Sequence, residues 1–172
     1  MSYEHNDPLI REVIESFTQL AHRIQAENDE EQQWLLAHCT NPVLTVILQD
    51  ISAMMLHVLD AIGKLEPVNG ITISKQFGFP KGTISKVTKK LAAKQLIRTE
   101  ALPGNKKEII FRMTPLGQEL FHLHTRLDQH IEASAIRFMN KYPPEQLRLI
   151  TSFMQDMNQT SWVQLETEPD PS

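Results

Sequence analysis

The chain has 172 residues, a single cysteine and a formal net charge of −4. That length accommodates one domain with helical extensions and an ample core, while a lone cysteine excludes an internal disulfide framework and fits a reducing compartment. The overall charge alone does not point to nucleic acid, but residues 64–112 hold eleven Lys/Arg against three Glu, +8, and the remainder sums to −12.

The opening MSYEHNDPLI lacks the basic start and apolar core of a secretion signal, and no apolar run reaches a membrane-spanning length. Both predict a cytoplasmic protein with no membrane partner. From Pro8 a helix is expected, with Leu9, Ile10, Val13, Ile14, Phe17, Leu20, Ala21 and Ile24 as one apolar stripe. Residues 26–33 are acidic and read as helix end or linker, and 34–39 as a short helical piece stopped by Thr40-Asn41-Pro42. Residues 43–63 predict a central helix, apolar on most sides, with Asp50-Ile51-Ser52 as the place where it can break.

Residues 68–91 organise the rest. Asn69 is a helix cap, Ile73 and Phe77 give the short helix an apolar face, and Gly78 stops it because glycine takes positive φ without steric cost. Phe79 plugs the corner, and Pro80 sits where a missing N–H costs a new helix nothing, with the second helix over about 81–94. That helix buries Ile84, Val87 and Leu91 and presents Lys81, Thr83, Ser85, Lys86, Lys89 and Lys90 on the other face. The pattern is a helix-turn-helix whose second helix suits a major groove. A strand over 96–102, a turn over 103–107 and a returning strand over 109–113 follow, making a winged helix with Asn105, Lys106 and Lys107 at the wing tip. A basic module in an acidic protein predicts double-stranded DNA as partner and an affinity that falls steeply with salt.

Thr114-Pro115 opens a long helix to about 141, with Leu116, Leu120, Leu123, Leu127, Ile131 and Phe138 as its stripe. Tyr142-Pro143-Pro144 breaks it, and 145–163 form a last helix carrying Leu147, Ile150, Phe153, Met154 and Met157. The tail is acidic and predicted disordered. The fold expected is mainly α with a small β wing. Residues 1–42 and 115–163 supply dimerisation helices, 43–114 the winged helix-turn-helix, and 164–172 the tail. A homodimer is the simplest use of three amphipathic helices outside the wing domain, and it would set two wings on half-sites about one helical turn apart.

At this point the layout resembles the MarR family of bacterial transcription regulators. The segment KGTISKVTKKLAAKQLIR is similar to the family's recognition helix and exit strand, and MTPLGQEL to its turn into the dimer helix. The resemblance implies a homodimer on a pseudo-palindromic operator, usually as a repressor, with Lys81, Thr83, Ser85, Lys86 and Lys89 meeting bases and phosphates. The family's wing carries an Asp-x-Arg element. Here its places fall on Asn105 and Lys107, and lysine, more strongly hydrated and without a planar fork, predicts weaker wing contacts.

The resemblance also implies an effector. A small molecule in an apolar pocket lined by Trp34, Met54, Met55 and Phe121 is one reading. A zinc-responsive branch is the other: His38-Cys39-Thr40 resembles its loop triplet, His57 and His124 match two of its ligands, and Asp128 stands where a third histidine would be. An i, i+4 pair places His124 and Asp128 on one helix face. The fourth ligand falls near Glu30, Glu31 or Gln33, and two second-site positions fall on Leu56 and Leu123. Cys39 reads as a small buried hydrophobe rather than a redox switch.

Two other classes fit the sequence less well. For an enzyme the chain offers no glycine-rich phosphate loop and no nucleophile with a base at motif spacing, and only His122, His124 and His130 cluster. A winged helix used for protein contacts, without DNA binding, is opposed by its lysines, which such faces usually lack.

Overall fold

The computed structural model describes residues 7–25, 29–102 and 105–161, which fall into two compact units divided after Asp128. In the first, α1 (Pro8–Gln25) and α2 (Asp29–His38) precede the core. The predicted central helix is two helices, α3 (Pro42–Leu48) and α4 (Ala53–Leu65). Each has its own cap: Asn41 Oδ1 accepts the Val43 N–H at 2.9 Å, and Ser52 Oγ accepts the Met55 N–H at 3.3 Å. A side-chain acceptor at Ser52 satisfies a donor that a continuous helix would have bonded to the turn before. That is why the break falls where polar residues interrupt the apolar run.

Leu44, Leu48, Val58, Leu59 and Ile62 are fully buried and join Ile73, Leu91, Leu96 and Leu120 in one core. Each such side chain contributes roughly 1.5–3 kcal/mol of transfer free energy. Around this core stand β1 (Val68–Asn69), α5 (Gly70–Phe77), α6 (Lys81–Ala93), β2 (Ile97–Leu102) and β3 (Asn105–Met113). The sheet is antiparallel in the order β1-β3-β2. The sequence pattern predicts only two of these strands. The third, β1, pairs Val68 with Phe111 and Asn69 with Ile110. β3 also starts earlier than expected, at Asn105, which pairs with Leu102 beyond a bulge at Ala101/Leu102.

α7 (Pro115–Met139) opens on Thr114, whose hydroxyl accepts the Gly117 N–H at 3.0 Å and donates to the Gln95 carbonyl at 2.6 Å. Its first turns bury Leu120, Leu123 and Leu127. In the second unit, the end of α7 and α8 (Pro144–Gln159) carry exposed apolar residues, among them Ile131, Phe138, Ile150, Phe153 and Met154. Both helices end a little earlier than expected. The tail beyond 161 lies outside the described residues.

Candidate nucleic-acid interface

Asn69 holds α5 from its start, Oδ1 accepting the Thr72 N–H at 2.8 Å. Gly78 ends it at φ 73°, in the left-handed region glycine enters freely, with its N–H on the Ser74 carbonyl at 3.0 Å. The Ser74 hydroxyl then donates to the Phe79 carbonyl at 2.7 Å and closes the corner. Phe79 is half-buried, and Phe77, expected on the apolar face with buried Ile73, is exposed and stacks on it with ring planes 8° apart. Pro80 is the N-cap of α6, which starts at Lys81 as expected, and makes no side-chain cap bond.

α6 buries Ile84, Val87 and Leu91 as the spacing predicted, and also Thr88, whose hydroxyl donates to the Ile84 carbonyl at 2.8 Å. That bond satisfies a buried hydroxyl that the sequence did not flag. On the opposite side Lys81, Ser85, Lys86, Lys89 and Lys90 are exposed and Thr83 is half-buried. Among the described residues no ion pair engages Lys75, Lys81, Lys86, Lys89 or Lys90. The other described cations of the basic region have acidic partners. Arg98 and Arg112 both reach Glu100, at 3.2 and 3.1 Å, Lys64 meets Asp60 at 2.6 Å, and Lys94 meets Asp50 at 3.0 Å. The Lys94 hydrogen bond, then its charge, hold the Asp50 carboxyl below its ordinary range. Among the described residues of this region, the lysines outside any ion pair are thus those of α5 and α6.

The three glutamates of the basic region have structural partners. Glu66 Oε2 accepts the Met113 N–H at 2.6 Å, Glu100 takes the two arginines, and Glu108 accepts from the Asn69 side chain. The turn Pro103-Gly104 and the side chains of Asn105, Lys106 and Lys107 lie outside the described residues; the backbone of the last three forms the start of β3. Between α6 and the sheet opens a cavity of about 800 Å³. Ile71, Ile84 and Phe111 line it, with Lys81 and Lys89 also in its wall.

None of Trp34, Met54, Met55 or Phe121 lines that cavity. Met55 is buried in the core, Met54 is exposed, Trp34 stacks on His38 at 3.9 Å, and Phe121 lies against Gly63. His38 Nδ1 lies 2.8 Å from the Trp34 carbonyl, Cys39 Sγ donates to the Asn41 carbonyl at 3.4 Å, and Glu30 faces Arg23 at 3.9 Å. The remaining metal-ligand candidates draw closer together. His57 on α4 is exposed, its ring 6.2 Å from that of His124. His124 is only 6 % exposed, with Nδ1 3.6 Å from Asp128 Oδ2. Among the described residues, the set with ligand atoms within 4.8 Å of one another is Asp60, His124 and Asp128, so the structure adds Asp60 and leaves His57 outside it. Asp60 follows His57 by one helical turn, which was the available sequence signal.

Residues 51–109 match the profile of the MarR family. The chain is 30% identical over 105 residues to the HTH-type transcriptional regulator PchR of Bacillus subtilis (strain 168), a match spanning 61% of this chain and 62% of PchR. It thus covers rather less than two thirds of that relative's length. Among solved structures it is similar to zinc-responsive ZitR of Lactococcus lactis, with TM-score 0.66 and 17% identity over 87% of this chain and 97% of that one. FabT of Streptococcus pneumoniae in complex with DNA gives TM-score 0.63 and 19% identity over 87% and 95%. The MarR-family likeness thus lies across α4, α5, α6 and into the wing, and the chain shares the architecture of these solved structures.

Proposed function

We propose that this protein is a dimeric, cytoplasmic DNA-binding transcriptional regulator, acting as a repressor that responds to a small-molecule effector. The observation that carries the reading is the face of α6, where Lys81, Lys86, Lys89 and Lys90 stand exposed beside Ser85 and, among the described residues, outside any ion pair, while Arg98 and Arg112 nearby share Glu100. Such a face places cations against phosphates and short polar side chains against base edges. PchR, named as a transcriptional regulator, supports the same reading. In this account residues 43–114 bind the operator, and the helices of 1–42 and 115–163 join two copies. The exposed stripe Leu9, Ile10, Val13, Ile14, Phe17 and Leu20 on α1 is the kind of surface a second copy covers.

The test is a charge reversal on the recognition helix. Lys86→Glu with Lys89→Glu should lower operator affinity by about 100-fold or more at physiological salt and flatten the salt dependence by roughly two counterions. Fluorescence anisotropy over a salt series reads both. Undiminished binding by the double variant would remove α6 from the interface. A zinc-responsive form of the regulator is a second reading, favoured by one observation: the imidazole of buried His124 faces the Asp128 carboxylate.

A further inference from the structure

We infer that Asp60, His124 and Asp128 form a binding site for one divalent first-row metal cation, which ties α4 to α7. Asp60 is the ligand that sequence comparison does not provide. Three features of the geometry carry this. First, the three side chains present ligand atoms that all lie within 4.8 Å of one another. Twice a metal–ligand bond of about 2.1 Å is about 4.2 Å, so a small swing of the half-exposed Asp128 closes the set. Second, His124 is nine-tenths buried and its Nδ1 makes no hydrogen bond, although Asp128 Oδ2 stands 3.6 Å away. Third, Asp60 is itself mostly buried. Lys64 neutralises its Oδ2 at 2.6 Å, while its Oδ1 is buried and makes no hydrogen bond.

A buried polar atom without a partner costs free energy, and such atoms in native proteins are rare enough to ask for a cause. Two of them, on different helices and within one small cluster, find that cause in a shared cation. One imidazole and two carboxylates suit zinc, ferrous iron or manganese better than calcium, which prefers oxygen alone. Three protein donors leave the remaining positions to solvent. Affinity should follow the general order for such sites, zinc above manganese. The cation would join α4, which packs against α6, to the helix that leaves the wing domain. The zinc-responsive reading above would thereby acquire a defined donor set that includes Asp60 and does not depend on His57.

The experiment uses the full chain, stripped with chelator and titrated with zinc or manganese. Calorimetry reads zinc, and loss of the free-ion paramagnetic resonance signal reads manganese. The expected result is a single cation per chain and a higher melting temperature when loaded. Asp60→Asn, His124→Gln and Asp128→Asn should each weaken binding by about 100-fold, since even a partner behind a ligand is worth 10–100-fold. His57→Ala should change it by less than about threefold, given that its ring stands outside the cluster. Asp128 is half-exposed, so Asp128→Asn keeps the fold and decides the matter if His124→Gln does not. No uptake at millimolar cation overturns the site. So does wild-type affinity in Asp60→Asn and Asp128→Asn, or loss of binding in His57→Ala alone. Operator binding is read separately: its absence with cation uptake intact counts against the regulator, and the reverse outcome counts only against this site.

Discussion

Gly117 lies beneath the carbonyl of Leu96, so close that a Cβ there would stand 1.9 Å from the oxygen. Backbone cannot retreat as a flexible side chain would, and the same oxygen already accepts the Thr114 N–H at 3.1 Å. Gly117→Ala should therefore destabilise the protein by about 3 kcal/mol or more, seen as an earlier thermal transition. Gly82 on α6 has nothing within 4 Å of its hypothetical Cβ. There the same substitution should stabilise by up to about 1 kcal/mol, because alanine is the better helix former. Two glycines of one chain thus predict opposite signs, and the nearest neighbouring atom decides each.

At the scale of the element, α5 is short and depends on its ends. Asn69 caps it, pairs in β1 with Ile110 and donates to Glu108, so one side chain links the helix-turn-helix to the wing. Asn69→Ala should cost about 1 kcal/mol for the cap alone. Amide exchange in α5 should rise while α7 is unchanged. Equal protection of α5 in the variant would show that packing of Ile73, not the cap, holds the helix. The divided central helix follows the same logic, since Ser52 sets the start of α4 more firmly than apolar content sets its continuation.

For the whole molecule, the prediction concerns what covers α1. Phe17 is 48% exposed in the middle of an apolar stripe, where a lone chain in water gains nothing from it. Under the proposed homodimer, Phe17→Asp should weaken self-association by on the order of 10–100-fold, the worth of one buried aromatic side chain. Sedimentation velocity across a concentration series measures this. A variant that sediments as the wild type at every concentration would leave α1 without a role in assembly.

The helix-turn-helix was legible in the sequence because its determinants are local. Asn69, Gly78 and the 3–4 spacing of Ile84, Val87 and Leu91 act within a turn or two of chain, and so did Thr114 at the start of α7. So were the lysines of α6, whose exposure follows from the burial of the opposite face. Tertiary structure alone decided the rest. β1 is two residues long, too short to leave an alternating pattern, and exists only because β3 offers it hydrogen-bond partners. Thr88 is buried by what packs over it, and Phe77 is exposed because Phe79 takes the corner. Glu100, beside Arg98 on the same strand, reaches Arg112 only once β2 and β3 lie side by side. Asp60 meets His124 from another helix, 64 positions away in the numbering. Local sequence determines which way a helix starts, stops and faces; which side chains of distant helices share one point in space is settled by packing.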